Sequence, residues 1–423
     1  MGNIRGMHVP GIANLRGGIV DRIRERRHPE EIIYLIAPSG HPNYGDELIA
    51  RAWLHHLARA RPRAMVVLDC HSPGQAGLLL RGIHPGAVFV DTLWQLTQYA
   101  ADTERTDGPD ARTPWTWVAE AATRFGPAPR LAEGVDVFRR ASSVHLLGGG
   151  YLNRVWPQHV SLVAAAAELA RTTGVPAYAT GQGLIPLFDG PARAVLTESA
   201  EAFTIFDVRD AASAEALSGT AARRHTGDDA WLAVDDPAST RRDPGGPARH
   251  GVTLCLQADL TEDFAAFGMT GLDALTRFVG ATLDAWQVGG DAVTVLEGIP
   301  GGDLEIPSRL GNRLAGAATI PFLDVWRSGL PVGRGDTWIS TRFHPHLVAA
   351  AAGESGVAVI GRPDYYATKH ESLAAAGSRW TIVDDPDIIP DRPDAGGFSE
   401  EHRARAVASK RALAHRLYPR RRW

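Results

Sequence analysis

Short apolar, β-branched runs alternate with helical patterns along most of this chain, and most of these runs end on glycine or a polar residue. The runs EIIYLIA (31–37), RAMVVLDC (63–70), SSVHLLGGG (142–150), VPAYATGQG (175–183) and EAFTIFDVRD (201–210) read as strands. Helical stretches such as QHVSLVAAAAELARTTG lie between them. This β-loop-α-β rhythm predicts a mostly parallel sheet with helices on both faces. It breaks at DDPASTRRDPGGPARHG (235–251), where proline, glycine and charge mark a linker. It restarts with GVTLCLQ (251–257), DAVTVLEG (291–298), DTWISTR (336–342), GVAVIGRP (356–363) and SRWTIVDD (378–385).

The expected fold class is therefore α/β, with two doubly wound Rossmann-like domains facing a cleft. The chain's 423 residues suffice for two domains, each of ~150–200 residues. The expected boundaries are 27–235 for the first domain and 248–398 for the second. A helix within 399–423 is expected to pack back on the first. The stretch 100–135, acidic with Pro and Trp, fits the rhythm poorly and reads as an insertion or lid.

Composition excludes several classes of function. Hydrophobic residues make up 44% of the chain and charged residues 22%, an ordinary globular balance. The net charge of −4 gives no basic footprint for nucleic acid. The two cysteines, Cys70 and Cys255, each fall in or beside an apolar run and read as buried free thiols rather than a disulfide or zinc site. So little cysteine fits a reducing cytoplasm. The first residues, MGNIRGMHVPGIANLRGG, lack the apolar core of a secretory signal. No run of ~20 apolar residues predicts a membrane span. The basic tail YPRRRW reads as a solvated end, with contact to an anionic inner-membrane face as the alternative. Nothing here fixes an oligomeric state.

Ligands of open parallel sheets bind outside the C-terminal ends of the strands, so the polar strand ends are the candidate site. The loop SGHPNYGDELI (39–49) offers Asn43, Gly45, Asp46 and Glu47 at a helix start. Asp46 serves either as a helix cap or as an acceptor or base for a neutral, hydroxyl-rich ligand, since a carboxylate there repels phosphate. In GGGYLN (148–153), Gly149 and Gly150 either allow a tight turn or let backbone N–H groups approach a ligand. The motif matches neither G-x-G-x-x-G nor a P-loop. Gln182 in TGQG is a candidate hydroxyl reader. Arg209 in DVRD is a surface ion pair or a fork for carboxylate or phosphate. In STRFHPH (340–346), Arg342 and His344 fall in a strand-to-helix turn before Pro345. A histidine there suits proton transfer near neutrality. Lys369 in YYATKH either reaches the same anion or solvates a helix face. No strong metal-ligand cluster is legible.

Taken together, GHPNYGDELI (40–49), LLGGGYLN (146–153), ATGQGLIPL (179–187), DVRDAAS (207–213), STRFHPHLVAAAAG (340–353) and YYATKHESLAAAG (365–377) resemble the polysaccharide pyruvyltransferase family, in the family's order and across both halves. TGDDAWLAV (226–234) looks like the family's aspartate-containing segment. The resemblance implies the architecture of two-domain (GT-B-like) glycosyltransferases. It also implies transfer of pyruvate from phosphoenolpyruvate onto two hydroxyls of one sugar as a cyclic ketal, in cell-surface or exopolysaccharide biosynthesis. It implicates the R-x-H pair, here Arg342 and His344, in donor binding and catalysis, and it matches Arg209 to the arginine of the v-R-D segment.

Phosphoenolpyruvate carries a carboxylate and a phosphate, so several cations are expected around it. Arg209, Arg342 and Lys369 are the candidates. His344 is the expected general acid, and Asp46 the base or hydroxyl positioner. Asn43, Gly45, Glu47, Gly149, Gly150 and Gln182 are the expected acceptor side. The expected partners are phosphoenolpyruvate as co-substrate, with no cofactor or metal, and a sugar or glycan, lipid-linked or free. A nucleotide-sugar glycosyltransferase and a non-catalytic sugar- or anion-binding protein are the alternatives.

Overall fold

The computed structural model describes residues 31–103, 108–242, 251–333 and 335–420. The N-terminal stretch, the middle of the linker and the last residues of the basic tail lie outside the described residues.

Seven parallel strands form the first sheet: β1 (Ile32–Ile36), β2 (Met65–Asp69), β3 (Ala87–Val90), β4 (Ser143–Leu146), β5 (Ala177–Gln182), β6 (Ile205–Val208) and β7 (Arg223–His225). Their order is β3-β2-β1-β4-β5-β6-β7. Every residue of β1 is buried, because helices cover both faces of the sheet. Its register is fixed on both sides, with Ile33 opposite Val66 in β2 and Ser143 in β4.

The second half repeats the plan. A short strand in the expected linker, β8 (Thr240–Arg242), comes first, followed by β9 (Val252–Cys255) and a small hairpin of β10 (Ala265–Ala266) and β11 (Met269–Thr270). The remaining strands are β12 (Val293–Leu296), β13 (Ala318–Ile320), β14 (Leu330–Val332), β15 (Thr337–Ser340), β16 (Ser355–Val359) and β17 (Thr381–Val383). The six-stranded sheet runs β13-β12-β9-β15-β16-β17, all parallel. The linker strand β8 pairs with β14. Strand order reverses between β1 and β4 in one sheet and between β9 and β15 in the other. Those two switch points are where a doubly wound sheet opens a crevice.

The helix Tyr44–Ala60 follows β1. Asn43 caps it, its side chain accepting from the Gly45 N–H at 3.1 Å. Its apolar side (Leu48, Trp53, Leu57) is fully buried in a core that also holds Phe343, Leu347 and Val348 of the second half. One hydrophobic core therefore runs through both halves, and each Leu-sized side chain fully buried in it contributes ~1.5–3 kcal/mol. Polar contacts reinforce it. The Tyr44 N–H donates to the Gly298 carbonyl at 2.9 Å. Arg51 lies 4.4 Å from the Trp326 ring and donates to the Trp326 carbonyl at 3.4 Å.

Part of the stretch 100–135 is packed into the first half. Its helix Pro114–Thr123 packs against the helix Val160–Thr173, with Val118, Ala121 and Ala122 fully buried. Small alanines permit that close approach, and their weak apolar signal hid a core element. The final helix, Glu400–Leu417, starts on a Ser399 cap and returns to the first half. There its Lys410, fully buried, places Nζ 2.8 Å from Asp207 Oδ2 and 3.0 Å from Asp229 Oδ1.

Candidate active site

The two switch points face each other across a cleft of about 600 Å³. Each wall consists of strand ends and the helix starts that follow them. Asn43 and Asp46 (after β1), Gly150 (after β4) and Arg209 (after β6) come from the first half. Gln257 and Asp259 (after β9), Arg342 and His344 (after β15), and Tyr365, Tyr366 and Lys369 (after β16) come from the second. The doubly wound topology thus converges residues that are more than 300 positions apart.

His344 sits at the seam. Its Nε2 lies 3.5 Å from Asp228 Oδ1 of the first half. Its ring packs against Gly45, where a Cβ would fall 1.7 Å from Nδ1. Gly45 is needed for space and not for an unusual backbone angle. Asp228 is buried and caps a 3₁₀ turn by accepting from the Ala230 N–H at 2.8 Å. Burial alone raises its carboxyl, but His344 and Arg209 outweigh that and hold it at about 2. It is an ionised carboxylate at any physiological pH.

Arg209 bridges the halves. Its Nε is 3.4 Å from Asp210 Oδ2, its Nη1 is 3.8 Å from Asp228 Oδ2, and its guanidinium lies 4.8 Å from the Phe343 ring. Gly183 leaves room for it, since a Cβ there would come within 2.3 Å of Nη2. Arg342 is more firmly tied. Its Nε donates to Asp303 Oδ1 at 3.1 Å, its Nη2 donates to the same carboxylate, and its Nη1 donates to Gln257 Oε1 at 3.0 Å. Burial opposes the charge on Arg342, but Asp303 prevails and the guanidinium is held charged more strongly than usual. Asp303 is in turn fixed by the Gly298 and Ile299 N–H groups at 2.8 and 3.1 Å.

Lys369 points its ammonium at aromatic faces, 3.1 Å from the Tyr365 ring centre and 4.5 Å from that of Tyr366. Burial first, and then Arg209 and Arg342, push its pKa well below the usual lysine range. Gly150 makes space for it, since a Cβ would sit 3.1 Å from Nζ and 3.2 Å from the Tyr365 hydroxyl. That hydroxyl donates to the Gly150 carbonyl at 2.9 Å, another bond between the halves. Asp46, third residue of its helix, completes the floor. The cleft walls shield it from water and raise its carboxyl to about 6, against the pull of His344 and Lys369.

The structure thus brings Asn43, Asp46, Gly150, Arg209, Arg342, His344 and Lys369 together in one cleft, with Gly45 directly behind His344. Gly45 and three further residues expected on the acceptor side, Glu47, Gln182 and Gly149, do not line it. Glu47 turns inward, its Oε1 accepting from the Gly40 N–H at 2.6 Å, and burial raises its carboxyl to about 8. Gln182 donates to the Leu146 and Leu147 carbonyls at 3.1 and 2.7 Å, tying β5 to the end of β4. Gly149 extends that pairing, its carbonyl accepting from the Gly183 N–H at 2.9 Å. These three make bonds within the wall. The sequence reading missed Asp303, Gln257 and the two tyrosines. Asp228 was visible only as part of TGDDAWLAV.

Two doubly wound domains with a cleft between their strand ends form the two-domain, GT-B-like architecture. Solved structures of that kind are similar in fold over nearly the whole chain. The Staphylococcus aureus MnaA–UDP co-structure matches at 11% identity and TM-score 0.49, covering 92% of this chain and 96% of that one. The UDP-GlcNAc 2-epimerase from Neisseria meningitidis bound to UDP-GlcNAc matches at 9% and 0.46, covering 93% and 95%. The E. coli ADP-heptose LPS heptosyltransferase II matches at 10% and 0.36, covering 91% and 99%. No curated protein sequence matches closely enough to count as a relative. The polysaccharide pyruvyl transferase family model matches residues 43–279, more than half of the chain, and the chain belongs to that family. Among the described residues, no helix is long and apolar enough to cross a membrane.

Proposed function

We propose that this protein transfers the pyruvyl group of phosphoenolpyruvate onto two hydroxyls of one sugar, forming a cyclic ketal in the making of a cell-surface or extracellular glycan. One observation carries the reading: Arg209, Arg342 and Lys369, from three separate elements, converge on the same cleft as His344 and face Asp46. A donor with a carboxylate and a phosphate suits the two guanidinium groups, and its own negative charge favours the protonated form of Lys369 against burial; each charge-assisted hydrogen bond contributes ~1.5–3 kcal/mol. A neutral sugar hydroxyl needs the carboxylate opposite.

The residues divide the work in two steps. In the first, a sugar hydroxyl oxygen bonds to the central carbon of the donor and its proton passes to Asp46. His344 delivers a proton to the methylene carbon, which becomes a methyl group. The charge of Asp228 stabilises the positive charge His344 carries as an acid. In the second step, the neighbouring hydroxyl oxygen bonds to the same carbon. The carbon–oxygen bond to phosphate breaks, and the hydroxyl proton leaves with the phosphate. Asp46 then gives up its proton and His344 regains one, through solvent.

The test is phosphate release from phosphoenolpyruvate with and without a panel of galactosides, glucosides and mannosides. Acceptor-dependent release supports the reading. Silence across the panel, with thermal stabilisation by a nucleotide sugar and none by phosphoenolpyruvate, sinks it.

A further inference from the structure

The cleft has a third surface that the proposed chemistry leaves unused. His71, just past β2, is exposed and lies over Trp94, with ring centres 3.8 Å apart. Trp94 meets His159 edge-on at 5.0 Å. Trp156, half-buried, lies parallel to His159 within 13° and at 6.1 Å. Gln98 and Gln158 stand at the rim. None of these side chains carries a fixed charge, whereas the opposite wall is built on charge. Trp94 is buried and acts as support, whereas His71, Trp156, His159 and the two glutamines line the cleft.

We propose that this shelf is a second sugar subsite, which binds a neutral sugar ring next to the one that receives the pyruvyl group. The proposal rests on the transferase reading above. A pyranose presents an apolar C–H face and a rim of hydroxyls. Flat rings match the face, and amides and a neutral imidazole match the rim. His159 supplies the imidazole. Its Nδ1–H donates to the Tyr151 carbonyl at 2.9 Å, which leaves Nε2 as an acceptor. Burial outweighs that bond and lowers its pKa to about 4, so the ring stays neutral in ordinary buffers. The shelf is continuous with the reacting centre, because Trp156 meets Tyr365 of the donor wall edge-on at 5.7 Å. The preferred acceptor is therefore an oligosaccharide of at least two neutral units. A phosphorylated or uronic-acid neighbour finds no cation on the shelf.

The experiment compares methyl galactoside, glucoside and mannoside with lactose, cellobiose and mannobiose. Binding is read by saturation-transfer NMR and titration without donor, and turnover by phosphate release from phosphoenolpyruvate. The expected result is that at least one disaccharide binds about tenfold more tightly than its monosaccharide. Trp156→Ala should erase that advantage. Gln98→Ala, on the exposed rim, should reduce it in part without any risk to folding. Disaccharide preference that is lost in Trp156→Ala, with no phosphate release from any acceptor, would keep the subsite and refute pyruvyl transfer. Transfer with equal KM for mono- and disaccharides, unchanged in both variants, would overturn the subsite and keep the transfer. Failure of every disaccharide to bind overturns it as well.

Discussion

His344 Nε2 and Asp228 Oδ1 lie 3.5 Å apart, and the two residues come from opposite halves of the molecule. The pair forms only when the second sheet's switch point docks on the first. Asp228→Asn preserves the cap on the 3₁₀ turn, because the amide oxygen can still accept from the Ala230 N–H. It removes the negative charge beside His344. The expected outcome is a fall of ~10²–10⁴-fold in kcat/KM, the usual scale for a disabled proton-transfer group, with a lower melting midpoint from the lost pairing to Arg209 and unchanged secondary structure. Near-normal turnover in this variant would remove Asp228 from the mechanism and leave His344 to act alone.

Gly45 offers a second, purely steric test. A methyl group at this position would fall 1.7 Å from His344 Nδ1. Alanine is the best helix former, so the helix Tyr44–Ala60 tolerates Gly45→Ala locally. His344 must then turn away or the halves must part. The expected result is loss of at least ~10²-fold in rate with far-ultraviolet circular dichroism unchanged. A fully active Gly45→Ala enzyme would mean that the active arrangement opens the seam, and that His344 works from another position.

The two-sheet architecture was legible because its central strands are long apolar runs, buried on both faces. IIYLI of β1 and MVVLD of β2 are examples. Three of the four edge strands were not. AVFV of β3 is only partly buried, RRH of β7 is polar, and ATI of β13 is mostly exposed. A strand paired on one side and open to water has no reason to carry an apolar run. The site was legible where a polar residue follows a central strand, as Asp46, Arg209 and Arg342 do. It failed for partners that matter through distance alone. Nothing in GGDLE announces that Asp303 holds Arg342 by two nitrogens. Glu47 and Gln182 sit in motifs that point to the cleft, but their side chains turn to backbone groups. One residue of helical phase separates Asp46, in the cleft, from Glu47, in the core.

Lys410 tests the docking of the last helix. Its ammonium bridges Asp207 and Asp229, and all three side chains are fully buried. Asp207 also accepts from the Gly181 N–H at 3.0 Å, and Asp229 from the Gly148 N–H at 2.9 Å and from Trp53 Nε1 at 2.7 Å. The ion triad therefore pins the glycine loops that form the first-half wall. Lys410→Met leaves two buried carboxylates facing each other without a cation. The expected loss is ~3–5 kcal/mol, read as a lower midpoint in urea unfolding. Because the loops at 148 and 181 depend on these carboxylates, acceptor KM should rise before the protein unfolds. A variant as stable as the wild type would show that the two aspartates find other partners or are protonated together.

Asp46 connects stability to catalysis through pH. Its carboxyl in the folded protein titrates at about 6, above the ordinary 3.8. The native state thus holds this proton more tightly than the unfolded chain. Stability contributed by the protonated group is full below about pH 4 and is lost as pH rises through about 6, and the cost of the buried charge is complete above that. Asp46→Asn has no such charge to bury. It should match the wild type at pH 4 and exceed it by about 1–3 kcal/mol at pH 8. Activity should move in the opposite direction. As the base, Asp46 must be ionised, so wild-type kcat/KM should fall about tenfold per unit below pH 6. Asp46→Asn should lose that acid limb and most of its rate, while remaining the more stable protein at pH 8. A variant that retains the acid limb would assign the titration to another group. One that is less stable at pH 8 would mean that the ionised carboxylate is held by contacts stronger than its burial.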